Sequence, residues 1–413
     1  MTFSKASLLA LAFSFASSVL ALPSPSPVEN TPSRTLNKRV ETCTPFNGGS
    51  SSVDDTPAIE FSISQCGDGG IIVIPAGYTF YLNTALTFAG CVGCDFQIEG
   101  TIMASDDTSY WSTQTNIISV DSITGAQIHS VTGTGVINGN GQAAWDAFAA
   151  DAIARPTLFS VEGTSSNIQV YDLTVQNPPN VFFTVSSGST SIHYSGLTMT
   201  AVSTSSNPAA NTDGFDINGS TVSVTDTKIT NDDDCIAFKP GANLVTVSGI
   251  TCTGSHGISI GSLGSSAGVT DTVKNIYVSD VIMVSSTKAA GIKLYPGGDA
   301  YGSALVSNVT FTDFTVDASG YAFQIQSCYN QDAAYCAEYP STAKLEGIYV
   351  ENFSGTTSTK YEPDVANINC PADGLCDVYF SGMSVNSPEG TGVYLCADSS
   401  TVTGITCVAG ASG

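Results

Sequence analysis

The sequence predicts an all-β, single-domain right-handed parallel β-helix, a solenoid in which short strands stack coil upon coil. Three observations favour this fold. A strand-like unit recurs along residues 168–348, a polar residue or Gly breaks each unit in two, and helical periodicity is nearly absent beyond residue 40. Short β-rich units at a period in the twenties are typical of solenoids, because each unit buries its apolar face only against its neighbours.

The recurring unit has the form x-apolar-x-apolar-x-x-apolar-x-apolar. Its second positions are separated by 24, 30, 23, 31, 33 and 39 residues, and they are Ile168, Ile192, Val222, Val245, Ile276, Val309 and Ile348. Each unit would form one coil, hydrogen-bonded to the next at about 4.8 Å, with alternate apolar side chains stacked inside. A β-sandwich also uses short alternating strands, but it lacks one motif at a near-constant shortest spacing. The stretch GQAAWDAFAADAIARP is the one segment with helical character.

The first 39 residues predict targeting and processing. An apolar run too short to span a membrane ends in small residues, so residues 1–21 are predicted to be a secretory signal peptide. Residues 22–39 are rich in Pro and Ser and end in Lys38-Arg39, which indicates a pro-segment removed by a Lys-Arg-directed protease; a flexible linker is the alternative. The β-helix domain would then cover residues 40–413, and the mature protein would be secreted.

All twelve cysteines fall beyond residue 39, and an even number in a chain bound for an oxidising compartment predicts disulfides. For Cys91-x-x-Cys94 metal binding is the alternative, although no second CxxC or His cluster supports it. Close pairs predict local loop staples at Cys328/Cys336, Cys370/Cys376 and Cys396/Cys407.

Residues 40–413 hold eight Lys or Arg against 35 Asp or Glu, a net charge of −27. Such a surface repels nucleic acid and anionic lipid, so neither is an expected partner. No segment after the first 39 residues reads as a membrane span, and we expect a monomer. Sequons at Asn218, Asn308 and Asn352 predict a glycosylated surface.

A solenoid converts sequence spacing into geometry, because residues one period apart lie on the same face. Asp213 in NTDGFD is followed after 20 residues by Asp233 and Asp234 in NDDDCIAFKPG, His256 lies 23 residues beyond Asp233, and Lys293 another 37. These groups are therefore expected to line up in one groove.

Other polar residues of the same types have structural interpretations. Asp216 and Asp226 are interpreted as corner or surface acids, since Asp caps turns. His129 and His193 lie within strand patterns and are interpreted as structural.

Clustered carboxylates suit glycoside hydrolysis, in which one acid protonates the leaving oxygen and an ionised one activates water. Packing like charges together raises one pKa and so separates the two roles. Adjacent Asp233 and Asp234 would face opposite ways in a regular strand, so a bulge or corner is expected there. One coil of rise is shorter than the roughly 6.5–9.5 Å between carboxyl groups of inverting enzymes, and a diagonal placement would have to supply the remainder.

The motifs NTD, DDC, SHG followed by SIGS, and IK, in this order over residues 40–413, resemble glycoside hydrolase family 28. This is the polygalacturonase family of pectin-degrading enzymes. The resemblance implies a right-handed parallel β-helix and an inverting mechanism, and no cofactor or metal is expected. It makes Asp233 the general acid, has Asp213 and Asp234 activate the water, and gives His256 a place in the hydrogen-bond network of the acid or against the substrate.

The same resemblance implies the substrate-binding residues. Asn211 would position the catalytic aspartate, Lys293 would bind a galacturonate carboxylate, and Tyr329 in IQSCYNQ would lie near the sugar subsite beside the scissile bond. The expected partner is a pectic galacturonan backbone, which carries one carboxylate per residue. The resemblance also implies that Cys235 pairs with Cys252 and links successive coils behind the acids.

Two positions depart from the polygalacturonase pattern. Gly291 replaces the arginine of the usual RIK motif, and Ser255 replaces the first glycine of GHG. Loss of the guanidinium removes a bidentate carboxylate clamp and opens room beside the sugar. The stretch STKAAGIKLYPGG is most similar to the branch that contains xylogalacturonan hydrolases and exo-polygalacturonases. We therefore expect a xylogalacturonan hydrolase, with an exo-polygalacturonase as the alternative.

Two alternatives come from other functional classes. A calcium-dependent pectate lyase on the same fold would resemble its family in using an arginine base. Arg155, the one arginine beyond residue 39, falls outside the spacing of the acids, which argues against a lyase. A non-catalytic wall-binding solenoid is the second alternative.

Overall fold

The computed structural model describes residues 40–397 and 402–413; the predicted signal peptide and pro-segment lie outside the described residues. The strands form two large sheets that wind together as a right-handed parallel β-helix, which confirms the predicted fold. Among the described residues, all strand pairs are parallel except one antiparallel pair, Ser384–Ser387 with Gly390–Thr391. Within the described ranges, no helix has both the length and the apolarity that crossing a membrane requires.

One sheet has twelve strands and contributes one strand to each successive coil. Its strands are Leu86–Thr87, Asn116–Asp121, Thr157–Glu162, Phe183–Val185, Phe215–Ile217, Asp234–Phe238, Gly257–Leu263, Lys288–Leu294, Tyr321–Gln326, Asp364–Ile368, Val393–Cys396 and Cys407–Ala409.

The other sheet has twenty strands and forms the remaining faces of the coils. Its strands are Thr42–Cys43, Ile71–Ile74, Thr79–Leu82, Asp95–Ile98, Thr101–Ala104, Gln127–His129, Val136–Asn138, Ser166–Tyr171, Thr174–Gln176, Thr190–Ser195, Thr198–Thr200, Ser220–Thr230, Asn243–Thr253, Thr270–Val284, Ser303–Ser319, Lys344–Thr357, Leu375–Ser381, Ser384–Ser387, Gly390–Thr391 and Val402–Thr403.

The predicted repeat is the structural repeat. Its seven second positions, from Ile168 to Ile348, are consecutive register partners in the 20-stranded sheet, and all are buried in the core. The residue that breaks each unit is a corner with φ between 49° and 69°, a conformation that Gly, Asn and Asp adopt most readily. These corner residues are Asp172, Gly196, Asp226, Gly249, Asp280, Asp313 and Asn352.

The predicted helical stretch forms the helix Gln142–Asp151, but the expectation of a single helix is wrong. The helix Thr56–Cys66 packs on the first described strands and buries Ile59 and Ile63. The open end of a solenoid needs such a cover, because its last coil otherwise exposes core side chains. Shorter helical segments are Thr108–Trp111, Ala333–Glu338 and the 3₁₀ turn Thr359–Tyr361.

The twelve cysteines form six disulfides, as expected of a chain that folds in an oxidising compartment. The three predicted loop staples and the Cys235–Cys252 pair are all present. Cys91 is bonded to Cys94, so the metal-binding alternative for these two is wrong. The remaining bond, Cys43–Cys66, ties the end helix to the first strand.

Candidate active site

Three of the predicted groups lie at one edge of the 12-stranded sheet on successive coils. Asp213 stands two positions before Phe215, which pairs in register with Ile236, and Asp234 pairs with Gly257, the residue after His256. The three groups thus lie at the same sheet edge on successive coils, but the register shift puts His256 one position out of line with Asp234.

Lys293 does not share this alignment. It stands three positions after Ala290, the register partner of Ile258, and so lies five positions further along the sheet. Its coil is lengthened, and spacing along the chain then no longer gives position on the face. The side chain spans the difference, with Nζ 2.6 Å from Asp234 Oδ2 and both groups buried.

Asp233 and Asp234 both reach the site because the chain bulges there. The ladder to the next strand is irregular between Asp234 and Ile236, as expected from the adjacent acids. The buried Asn231 holds the bulge, with its Nδ2 donating to the carbonyls of Asp233 and Asp234 at 3.0 Å each and to that of Thr212 at 2.8 Å. Asn231 was not singled out from the sequence, although it opens the NDDDC run.

The three aspartates form one cluster. One oxygen from each carboxylate lies within 4.8 Å of the others. This is also a donor set that a metal ion could use. Two of the carboxylates, however, already face ammonium groups, Asp234 at 2.6 Å from Lys293 and Asp213 at 3.8 Å from Lys239.

The cluster lines an open cavity of about 390 Å³. The predicted substrate-binding residues Asn211, Lys293 and Tyr329 line the same cavity. The Lys293 Nζ lies 5.5 Å from the centre of the Tyr329 ring. Burial acts to lower the pKa of Lys293, but the Asp234 carboxylate outweighs it and raises the pKa, so this ammonium stays charged.

Asp233 is held from two sides. His256 Nδ1 lies 3.1 Å from Asp233 Oδ1, and the His256 main-chain N–H donates to the Asp233 carbonyl at 2.7 Å. Asn211 Nδ2 donates to Asp233 Oδ2 at 3.2 Å. The Asn211 amide is fixed in turn, because its Oδ1 accepts from Arg155 Nη2 at 2.7 Å.

Arg155 contacts none of the acids, as predicted, but it supports the site through Asn211. Its Nη1 donates to the carbonyls of Pro179 at 2.9 Å and Ala210 at 2.7 Å, and its guanidinium lies 3.7 Å from the centre of the Phe148 ring. Burial lowers the pKa of Arg155 to about 10 against the opposing charge of Asp233. Coil spacing could not reveal Arg155, because Arg155 lies in the loop after the helix Gln142–Asp151 and not on a coil face.

Asp216 is also corrected, from a corner acid to a residue of the cavity wall. It lies within the strand Phe215–Ile217, and Lys239 Nζ is 3.3 Å from its Oδ1. Lys239, which also faces Asp213, follows the strand Asp234–Phe238. A lysine just after a strand is usually solvated, so the sequence did not indicate that Lys239 belongs to the site.

The environments of the aspartates push their pKa values in opposite directions. Burial raises the pKa of Asp213 well above its usual range, with the charges of Asp216, Asp233 and Asp234 adding to it and Lys239 opposing. Burial also acts to raise the pKa of Asp233, but the hydrogen bond and charge of His256 and the charge of Lys293 outweigh it and lower the pKa to about 2. In the free site this split favours a protonated Asp213 and an ionised Asp233, the reverse of the roles that the family resemblance implies.

The other two histidines lie in the 20-stranded sheet, away from the cavity, which agrees with their structural interpretation. His129 Nε2 is 2.7 Å from Asp95 Oδ1 and its ring stacks on Tyr171, while His193 bonds the Ser223 hydroxyl. Of the sequon residues, Asn308 and Asn352 are exposed at coil corners and Asn218 is half-buried.

Comparison with known proteins shows the family to which the chain belongs. Residues 66–407 match the sequence model of "Glycosyl hydrolases family 28". The chain is 53% identical to endo-xylogalacturonan hydrolase A of Aspergillus tubingensis over 396 residues, 95% of this chain and 97% of that protein. The crystal structure of the A. tubingensis enzyme covers 90% of this chain and 100% of its own, with a TM-score of 0.88 and 54% identity. A polygalacturonase from Erwinia carotovora ssp. carotovora, at 19% identity and a TM-score of 0.65 over 91% of this chain and 98% of its own, shares the fold.

Proposed function

Because the chain belongs to glycosyl hydrolases family 28, we propose that it is a secreted enzyme that hydrolyses α-1,4-galacturonosidic bonds in xylose-substituted galacturonan. The observation that carries this proposal is the cluster of Asp213, Asp233 and Asp234 in an open cavity beside His256. The xylose-substituted substrate is supported by the named activity of the A. tubingensis relative and by Gly291, which stands where the polygalacturonase motif has arginine and so offers no guanidinium clamp. Residues 1–21 and 22–39 would be removed during secretion.

Asp233 is proposed as the general acid. Its side chain is the most exposed of the three, at 18%, against 9% for Asp213 and 2% for Asp234, so it can reach a glycosidic oxygen. In the free site His256 lowers its pKa to about 2, which disfavours the protonated form. A bound polyuronide adds negative charge and excludes water, and both raise the pKa of a nearby carboxyl. The acid form would therefore develop on substrate binding.

Asp213 and Asp234 are proposed to activate the attacking water. Both are buried, and Asp234 is engaged by Lys293 at 2.6 Å and by the Ser259 hydroxyl at 2.8 Å. Because both carboxylates are buried, a water between them and the sugar would be the nucleophile. A water held there would act in a single displacement with inversion.

Three groups are proposed to bind the uronate units. Lys293 offers a charged ammonium, Tyr329 a ring face beside it, and Asn211 an amide already fixed by Arg155. Binding a galacturonate carboxylate at Lys293 would partly replace its contact with Asp234, which would free that carboxylate to act on water.

Product analysis tests the proposal. The wild-type protein should release xylosylated oligomers from xylogalacturonan, and ¹H NMR of the earliest products should show the inverted, β anomer. Asp233→Asn should lose nearly all turnover with an unchanged circular dichroism spectrum. Monomer released from unsubstituted polygalacturonate, with no release from xylogalacturonan, would instead establish an exo-polygalacturonase.

Chelation separates the hydrolase from a lyase. Arg155 gives three hydrogen bonds through its guanidinium, which fixes it as a charged donor and not as a base. Activity should therefore persist in EDTA, and products should show no ultraviolet absorbance of an unsaturated uronide. Activity lost in EDTA and restored by calcium would refute the hydrolase. A protein whose binding to pectin is unchanged by Asp233→Asn, and which has no turnover, would be a wall-binding solenoid.

Three asparagines are proposed to carry glycans. Asn308 and Asn352 are exposed, and Asn218 has its Nδ2 on the carbonyl of Pro240 at 3.1 Å. Peptide mass analysis before and after enzymatic removal of N-glycans would check each position.

A further inference from the structure

Lys288 is a buried lysine next to the active site that the reaction outlined above does not use. It opens the strand Lys288–Leu294 and is 3% exposed. Its Nζ donates to the main-chain carbonyl of His256 at 2.8 Å. Among the described residues, no carboxylate lies within 4.0 Å of this ammonium. Burying a cation without a close counter-ion costs free energy, which suggests that Lys288 has a function at this position.

Two glycines make room for the Lys288 side chain. A Cβ on Gly257 would lie 2.9 Å from Lys288 Cγ and 2.6 Å from its carbonyl oxygen. A Cβ on Gly291 would lie 2.9 Å from both Cδ and Cε of Lys288. The aliphatic part of the lysine thus occupies space that any larger residue at position 257 or 291 would need.

The ammonium fixes the main chain from which the His256 ring meets Asp233. The His256 carbonyl accepts from Lys288 Nζ and from the Thr287 hydroxyl at 3.1 Å, while its N–H donates to Asp233. Both the N–H and the carbonyl of His256 are therefore held by hydrogen bonds, and the ring lies 3.1 Å from the Asp233 carboxylate.

We propose that Lys288 is a positioning residue for the Asp233–His256 pair and supplies a fixed positive charge from within the wall beside the site. This inference rests on the proposed function. In this chain the positive charge comes from Lys288 and the space for its side chain comes from Gly291, because a side chain at position 291 would displace Lys288.

The charged groups around Lys288 set the expected effect on pH. Asp233 and Asp234 attract its charge, and Lys293 repels it. His256 and Tyr321 are its titratable neighbours on the adjoining strands. Burial lowers the pKa of Lys288 to about 8, so it is charged in acidic medium. Its charge stabilises the ionised aspartates, and removing it should raise their pKa values.

Lys288→Met tests the proposal, since methionine fills a similar unbranched space without charge. On xylogalacturonan we expect kcat to fall about tenfold with little change in KM, and the acidic limb of the kcat/KM profile to move up by roughly half to one pH unit. Lys228→Met, which removes an exposed lysine of the 20-stranded sheet, is the matched control for net charge. A profile that overlays that of Lys228→Met, with only the melting temperature lowered, would overturn the proposal.

A second measurement does not depend on activity. The chain has three histidines, so imidazole NMR can follow His256 with His129 and His193 as internal references. In Lys288→Met the His256 pKa should rise, because a neighbouring positive charge is gone, while the other two stay constant. A His256 pKa that is unchanged or lower would overturn the role of Lys288. A wild-type protein without xylogalacturonan hydrolysis would refute the proposed function, and this titration would still decide the role of Lys288.

Discussion

Asp213→Asn is expected to abolish turnover and to stabilise the fold at neutral pH. The carboxyl is buried among Asp216, Asp233 and Asp234, which raises its pKa, and Lys239 opposes this only at 3.8 Å. Above the pKa of an aspartate in the unfolded chain, about 3.9, the unfolded state has released a proton that the native state retains. The free energy of unfolding then falls as pH rises. Asparagine has a similar shape and no charge, so it escapes this loss.

The size of the effect follows from proton linkage. A difference of one proton changes the free energy of unfolding by about 1.4 kcal/mol per pH unit. For a domain spanning residues 40–413, an unfolding entropy of about 2.1 cal/mol/K per residue gives about 0.8 kcal/mol/K. The melting temperature of the variant should therefore gain on the wild type by about 1.7 °C per pH unit above pH ~4. The gain levels off where Asp213 ionises in the native state.

Differential scanning calorimetry between pH 4 and 7 at fixed ionic strength measures this gap. Asp226→Asn is the control, because it removes the same charge from an exposed corner and so isolates the effect of net charge. Turnover is measured on the same samples. A gap that stays constant or narrows as pH rises, after subtraction of the control, would refute the explanation of the Asp213 pKa by burial and neighbouring carboxylates.

Three further outcomes are expected. Gly291→Arg should not create a polygalacturonase and should lower both the melting temperature and kcat/KM, because its Cβ would overlap the Gln324 carbonyl and lie 2.9 Å from Lys288 Cδ and Cε; new activity on polygalacturonate would contradict this. Arg155→Lys keeps the charge but cannot make three fixed hydrogen bonds, so it should release Asn211 and lower kcat roughly tenfold in steady-state assays. An unchanged kcat would show that Asn211 needs no support. Raising salt from about 20 to 150 mM should lower KM for the polyuronide by screening the net charge of −27, and a rising KM would contradict it.

The fold could be predicted because a solenoid records its geometry in its period. The positions Ile168 to Ile348 were recognisable from apolar spacing alone, and hydrogen bonding between coils makes them register partners. The corners were recognisable for a second reason, since a left-handed φ favours the Gly, Asn and Asp found there. The end helix Thr56–Cys66 was missed because it covers one end of the solenoid and so occurs only once.

The site was predictable where its residues share the period of the coils. Asp213, Asp234 and His256 come from the same sheet edge on three successive coils. Two adjacent side chains cannot face the same way in a regular strand, and this predicted the bulge at Asp234. Lys293 lies on a lengthened coil, so its main chain is out of line with the acids. Its ammonium reaches Asp234 because the lysine side chain is long.

Residues that reach the site from outside the period could not be predicted. Arg155 comes from a loop after a helix, and Lys239 from a loop after a strand, so neither has a repeat to mark it. Lys288 lies on a regular strand, but its role depends on space left by Gly257 and Gly291, which only packing reveals. In each case the missed residue is a cation, and cations at strand ends are usually solvated.

The cations of this chain are concentrated where the acids are. Residues 40–413 contain eight Lys or Arg, and four of them, Arg155, Lys239, Lys288 and Lys293, lie at the site or in its wall. Each contacts a different part of it: Asn211, the Asp213/Asp216 pair, the His256 main chain and Asp234. A chain with a net charge of −27 would repel a polyuronide from most of its surface, and four carboxylates packed together would repel one another. Placing half of the positive charge against these groups relieves both, because it offsets the acids locally and leaves the cavity the least repulsive place for an anionic sugar chain to bind.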